Sequence, residues 1–416
     1  LSIIGVKTDK FNSKIISQIK KIEPNLEFKL SEVSATLNPF NFEINIKTIG
    51  TDLIYRDKTI QLESINVSVS LKSYLKNNFA ISGIFISTKS LAIKDLFAFA
   101  RLFNNDPKIF IAKQFIKKGF MVADLKLEFD ELGNIKNNYK LNGLVTDGKI
   151  SLFKRYNLDK INFIFEINKK NIIFNDIKLL LNENDIFIPE LISSKKNNEY
   201  LFSGKLNTEN TILTNNDISN LINDEFLKLN IEDILFNSKN NFKFKINKKF
   251  KVKNLNIRSD IEIENLKLKN SLELKDIFPE IKKSIILKKH KIKFEYKEDN
   301  LSIDGSGDIF IQNEVDRIEY EINKRKKELR FNTSLNISKN PFEIDLLNYK
   351  KNENSDLRLK FQGKSNTKQV LTLDEFSLTE KNNIISIKNL IISNNNKIND
   401  LGNININYID KENLKN

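Results

Sequence analysis

Cysteine is absent from this 416-residue chain, so it holds neither a disulfide nor a thiolate metal site. Histidine occurs once, at His290, which removes zinc sites built from several imidazoles and leaves a nucleophilic triad a single candidate for its base. It stands in Leu287-Lys288-Lys289-His290-Lys291-Ile292, and that company predicts a solvated loop or strand histidine whose protonated form the lysines disfavour. The phosphate-cradling loop is missing as well. Gly305-Ser306-Gly307 lacks the following Lys-Ser/Thr or Gly and reads as a lone turn. Acidic pairs such as Glu183 with Asp185, or Asp304 with Asp308, have the spacing of ordinary surface carboxylates. The expectation is a chain that binds without catalysing, with no cofactor and no metal.

Turn breakers are scarce, at 12 Gly and 6 Pro. Asn, Asp and Lys are expected to make the turns instead, because Asn tolerates left-handed backbone angles. Asn-Asn pairs sit where turns are needed, at Asn137-Asn138 and Asn382-Asn383. No apolar run reaches the roughly 18 residues of a membrane-spanning helix. The chain begins at Leu1 rather than Met, so Leu1-Ser2-Ile3-Ile4-Gly5 is suspected to be the tail of a signal or anchor.

Charge is the one excess. The formal net charge is +14 and the pI about 9.4, which invites a nucleic-acid reading. Arginine, whose planar fork suits phosphates and base edges, is limited to eight residues. Lysine alternates with Glu and Asp on the polar side of the apolar pattern. One reading is a solvated strand face in the product of an A/T-rich genome; the other is attraction to anionic headgroups or nucleic acid.

What the chain has in abundance is alternation. Ile65-Asn66-Val67-Ser68-Val69-Ser70-Leu71, Leu125-Lys126-Leu127-Glu128-Phe129 and Phe242-Lys243-Phe244-Lys245-Ile246 each put apolar residues at every second position. Successive strand side chains point to opposite faces, so these runs build sheets with one apolar and one wet face. Strands are expected over 26–36, 40–49, 52–56, 59–71, 79–88 and 90–93, and again with few breaks from Phe120 onward. Helical spacing marks 9–21, capped by Asp9, and 217–228, capped by Asp217; a further helix is expected over 274–286 despite Pro279. Two short apolar helices are expected between Lys94 and Gly119, either packed on a sheet end or touching a membrane.

One element recurs. Phe165-Glu166-Ile167-Asn168-Lys169-Lys170, Phe244-Lys245-Ile246-Asn247-Lys248-Lys249 and Tyr320-Glu321-Ile322-Asn323-Lys324-Arg325 follow one another at offsets of 79 and 76 residues. Each reads as a strand running into a hairpin turn, either as part of a repeated β unit or as a chance match in an Asn- and Lys-rich chain.

The N-terminal third resembles the AsmA-like family of bacterial envelope proteins, whose relatives include the TamB and YhdP types. The resemblance starts with the helix expected over 9–21 and continues through Asn38-Pro39-Phe40-Asn41-Phe42-Glu43-Ile44; Ile60-Gln61-Leu62-Glu63-Ser64-Ile65-Asn66-Val67-Ser68-Val69; and Leu71-Lys72-Ser73-Tyr74-Leu75 through Ile81-Ser82-Gly83-Ile84-Phe85-Ile86. Leu141-Asn142-Gly143-Leu144-Val145 and Leu201-Phe202-Ser203-Gly204-Lys205-Leu206 are similar to the region that follows in YhdP-like members. The family's N-terminal anchoring helix is not in this chain.

The resemblance implies a mostly β fold, an elongated and curled antiparallel sheet forming a groove, with a helix-bearing N-terminal region (1–119) and a continuing array (120–416). It implies a periplasmic protein of a Gram-negative bacterium, inner-membrane anchored, whose groove takes phospholipid acyl chains between the inner and outer membranes. The groove lining is expected from Ile65, Val67, Val69 and Leu71, then Leu125, Leu127 and Phe129, then Phe163, Phe165 and Ile167. The alternatives are a structural or adhesive protein whose apolar faces close on each other as dry sandwiches, and a basic nucleic-acid binder.

Overall fold

Three quarters of the described residues lie in strands and 5% are helical. The computed structural model describes residues 6–7, 26–29, 32–55, 58–76, 78, 80–97, 116–152, 156–181, 183–196, 199–221, 230–247, 251–270, 274–326, 328–366, 370–393 and 398–408. The helix expected over 9–21 lies outside them, as does most of the apolar stretch after Lys94, of which 93–97 are helical. Residues 1–204 and 205–416 form two compact units.

The first unit contains β1 (Val6–Lys7), β2 (Leu26–Lys29), β3 (Glu32–Asn38), β4 (Glu43–Ile49), β5 (Asp52–Tyr55), β6 (Lys58–Ser70), α1 (Leu71–Leu75), β7 (Ile81–Thr88), β8 (Leu91–Ala92), β9 (Ile116–Glu128), β10 (Lys140–Leu152), β11 (Tyr156–Asn168), β12 (Asn171–Leu181) and β13 (Asn184–Lys196). The boundary with the second unit falls within β14 (Glu199–Thr214). Strands β1, β3, β4, β6, β7, β9, β10, β11, β12 and β13 pair in that order, always antiparallel. Strand β5 pairs onto the first half of β6 and carries β2 on its other side, and β8 pairs onto β9.

The second unit continues with α2 (Asn215–Leu221), β15 (Ile231–Ile246), β16 (Val252–Lys269), β17 (Ser284–Lys297), β18 (Asn300–Phe310), β19 (Asp316–Arg325), β20 (Glu328–Ile337), β21 (Glu343–Ile344), β22 (Tyr349–Lys350), β23 (Leu357–Asn366), β24 (Leu371–Glu380), β25 (Asn383–Ile392) and β26 (Ile398–Asn407). Strands β15 to β20 and β23 to β26 form one antiparallel meander. Among the described residues β26 pairs only with β25, so the meander does not close into a barrel.

The turns are made largely without glycine. Glu298 and Asp299, both at positive φ, link β17 to β18 in the two-residue manner of a primed hairpin turn. Inside the strands, Asp147, Lys160, Asp176, Asn254, Lys289 and Asn389 hold φ between 50° and 53°, where the pairing register shifts or skips a residue. Such bulges bend a strand and increase its twist, so a wide sheet curls.

The repeated aromatic-x-Ile-Asn-Lys element ends a hairpin strand in all three places. Asn168 accepts from the backbone N–H groups of Lys170 and Asn171, and Asn247 from that of Lys251, so both make the turn. Asn323 instead stays inside β19 opposite Arg330, and the chain turns at Lys326.

Several expectations are corrected. Residues 274–283 form turns rather than a helix, and β17 begins at Ser284. Ile277 and Phe278 hydrogen-bond back to Leu274, but Pro279 has no N–H with which to carry a helix on. Pro39 to Phe42 is a turn, with the strand starting at Glu43. Gly119 lies inside β9 at φ 144° instead of stopping a helix, and Gly305-Ser306-Gly307 lies within β18 rather than in a turn. His290 is 1% exposed, not solvated.

Candidate functional site

Directly opposed residues of an antiparallel pair share a face, so the register alone shows which apolar residues line up. In the first unit one row runs Thr48, Ile65, Ile86, Leu125, Leu141, Ile167, Ile172 across seven neighbouring strands. Beside it run Ile46, Val67, Ile84, Leu127, and, on the other flank, Gly143, Phe165, Phe174, Leu191. The three expected sets therefore share one face. Two members leave the strands: Leu71 opens α1, whose first turn is capped by the Ser70 hydroxyl, and Phe129 lies just past β9, bridged to Ile135.

Ile65 and Phe165 are buried; Val67, Val69, Leu71, Leu125, Leu127, Phe129, Phe163 and Ile167 are half-buried. Half-burial in mid-sheet has a definite cause. Same-face neighbours about 5 Å away shield the flanks of each side chain, so what remains accessible is its tip. A second packed layer would cover that tip too.

The second unit has a wider face of the same kind, graded along the strands. His290, Gly307, Leu335, Leu359, Leu378 and Ile385 are buried. One step along the strands, Ile292, Gly305, Tyr320, Thr333, Phe361, Phe376 and Ile387 are directly paired in sequence and all half-buried. A further step gives Phe294, Ile303, Ile322 and Phe331, also half-buried. One end is thus sealed and the rest is open.

The sealed end is a plug of loops. Phe278, Phe342, Tyr349 and Tyr408 pack edge to face over Ile337, Leu357 and Leu378. Buried polar groups stitch the loops together. Gln312 accepts from the Glu280 N–H and donates to Pro341 O; Asn340 accepts from the Glu314 N–H and donates to Asp316. The fully buried Glu380 carboxylate accepts from Tyr349 (2.6 Å), the Asn352 N–H (2.7 Å), Asn383 (3.2 Å) and Ser355. Burial alone would push its pKa up, but these donors outweigh it and hold the carboxyl below its ordinary value. Asp316 has too few partners for that. Its Oδ1 finds none in the protein, and burial pushes its pKa up to about 6. Lys351, also buried, is pushed down by desolvation while donating to Ser338 O and Asn352 O.

Two rings rest on glycines within this face. The Tyr320 ring covers Gly305 and the stacked His290 ring covers Gly307, where a Cβ would come within 2.4 Å and 2.1 Å of ring carbons. Phe165 covers Gly143 in the first unit in the same way. His290 donates from Nε2–H to Asp308 O (3.0 Å), and its burial lowers its pKa, favouring neutral imidazole. Asp304 and Asp308 point to the opposite face about 13 Å apart along β18, too far to act on one bond together.

That opposite face is polar. A shallow hollow of about 750 Å³ lies there, rimmed by Asp260, Glu262, Lys291, Lys293, Glu319 and Lys360. Charges of both signs line it, and the ion pairs elsewhere on the polar faces are exposed, as in Lys149–Asp159, Lys267–Glu232 and Arg258–Glu295. Such pairs contribute little stability and converge on no one point. Among the described residues no group of three or more His, Asp or Glu is placed to hold a metal, and no helix is long and apolar enough to cross a membrane. Comparison with protein-family models, characterised proteins and solved structures finds no match for the chain.

Proposed function

We propose that the chain binds lipid, its apolar sheet faces holding phospholipid acyl chains in the periplasm of a Gram-negative bacterium and passing them between the inner and outer membranes. The observation that carries this reading is the alignment of half-buried apolar rows across many consecutive strands, on one face of each unit. Each methylene removed from water on such a face contributes about 0.8 kcal/mol. A lining as uniform as Ile46, Val67, Ile84 and Leu127 offers no deep trap, so a chain held there can slide. The mostly β, antiparallel and unclosed sheet is compatible with what the AsmA-like resemblance implies, and both the elongated groove and the family assignment are part of the proposal. Native purification followed by lipid extraction and mass spectrometry tests it. Phospholipid in stoichiometric amount is expected, and a lipid-free, folded chain would remove the basis of the reading.

A closed, dry structural role is favoured most at the plugged end of the second unit, where Ile337, Tyr349 and Leu357 have no exposure at all. A neutral hydrophobic dye separates the two readings. Binding to the native chain supports open faces, and its absence supports a dry scaffold.

A further inference from the structure

The apolar face of the second unit carries one basic side chain among its described strand positions, Lys324. On β19 the inward phase reads Asp316, Ile318, Tyr320, Ile322, Lys324, and Lys324 pairs directly with Leu301 on one side and Leu329 on the other. All other described lysines and arginines of these strands occupy the polar phase, including the flanking Arg325 and, two strands away, Lys291 and Lys293. In a chain with 68 lysines and arginines, a single one in the apolar phase calls for a reason. Lys324 is half-buried, whereas Glu319, Glu321 and Arg325 on the outward phase are exposed.

Its position along the strand supplies that reason. The plug seals the face at the level of Leu335, Leu359 and Leu378. Ile318 is directly paired with Leu335, so it marks the edge of the sealed zone. From Ile318 to Lys324 is six residues, or about 20 Å of strand. The open stretch between them is lined by Ile318, Tyr320 and Ile322 with their half-buried partners. An acyl chain in a bilayer leaflet spans about 15 Å, half of the hydrocarbon core. A chain with its end against the plug would bring its head to about 5 Å short of the Lys324 backbone, a gap that the long lysine side chain spans. An ammonium at the rim of an apolar trough suits an anion there, since a charge-assisted hydrogen bond is strongest where water is partly excluded.

We infer that the second unit holds an anionic amphiphile, tail toward the Phe278–Phe342–Tyr349 plug and acidic head on Lys324. The head is a carboxylate or a phosphate ester, two chemistries that a single ammonium accepts alike. This rests on the lipid-binding reading and assigns it an orientation and a charge preference.

Photoreactive palmitate, hexadecyl phosphate and hexadecanol, each carrying a diazirine in the tail, test it on the delipidated full chain. The readout is the concentration that half-saturates labelling of peptides from β17 to β20, with circular dichroism confirming that each variant is folded. Lys324→Gln should weaken labelling by the two anions about tenfold, the size expected for one charge-assisted hydrogen bond, and leave the alcohol within about twofold. Lys324→Arg should restore most of the anion affinity. Loss for palmitate alone supports the proposal with a carboxylate head, and loss for hexadecyl phosphate alone supports it with a phosphate head. Unchanged anion labelling in a folded Lys324→Gln chain, or an equal loss for the alcohol, overturns the role of Lys324 and leaves the trough standing. Failure of all three probes to label the wild-type chain overturns the trough reading itself.

Discussion

Tyr320 and Gly305 face each other directly across β18 and β19, and the tyrosine ring occupies the space a glycine side chain would need. The ring is well buried, which raises the phenol pKa to about 12. Gly305→Ala puts a methyl group within 2.4 Å of the ring carbon Cζ, so the ring or the strand must shift. A cost of about 1–3 kcal/mol in urea unfolding is expected. In the Tyr320→Ala background the same substitution should cost clearly less, and a double-mutant cycle measures the difference.

Removing the acceptor at the centre of the plug should be severe. Glu380→Ala strands the Tyr349 hydroxyl, the Ser355 hydroxyl and the Asn352 N–H in a dry site. A loss of roughly 3–5 kcal/mol is expected in denaturant unfolding, with Tyr349→Phe losing about 1 kcal/mol by comparison.

Acid should act on the plug in two opposite ways. Glu380 has a lowered folded pKa, so its contribution is present above about pH 4.3, its unfolded value, and is lost as pH falls through the folded one. Asp316 is raised to about 6, so the folded state gains protons that the unfolded state lacks, and stability falls as pH rises from about 4 through about 6. Asp316→Asn should therefore raise stability at pH 7.5 by roughly 1–3 kcal/mol and flatten the profile between about pH 4 and 7. Thermal melts across that range check it.

A charge on the first unit's apolar face should have effects that depend on cover. Val67 is half-buried in the middle of its row, so Val67→Asp should leave a folded chain that loses co-purifying lipid. Phe165 is 5% exposed and lies over Gly143, so Phe165→Asp should cost more than about 3 kcal/mol and compromise the fold first. Lipid per folded molecule, read by mass spectrometry beside circular dichroism, separates the two.

Among the described residues β26 pairs on one side only and forms an edge of the second unit's sheet. Ile398, Leu401, Ile404 and Ile406 are 39–65% exposed on β26, and the strand contains no lysine, arginine or proline. Edges of this kind template pairing with other chains. Ile404→Lys should reduce aggregation on heating, seen by light scattering, while changing unfolding stability by less than about 0.5 kcal/mol.

Alternation made most of the sheet legible. Ile65, Val67 and Val69 lie in one phase because β-branched residues alternate there with Asn and Ser, and the meander pairs each strand with its neighbour in sequence. The alternation also ran one residue too far. Leu71 keeps the phase, yet Ser70 accepts a hydrogen bond from the Ser73 N–H and turns the chain into α1. Bulges were invisible, because Lys160 or Lys289 at positive φ has no compositional mark. The burial of His290 was hidden for a related reason. The bulge at Lys289 shifts its phase inward, onto Gly307, although lysines surround it in sequence. Lys324 was readable in principle, as the residue that extends Ile318-x-Tyr320-x-Ile322 in the apolar phase.

The open meander of the second unit has a consequence for how such a chain changes over generations. A barrel fixes its strand number through closure, and a sandwich fixes it through the match between two layers. A sheet that does not close among its described strands is bound by neither, so duplicating one hairpin adds two strands to the lining as long as Tyr408 keeps its place against Tyr349 in the plug.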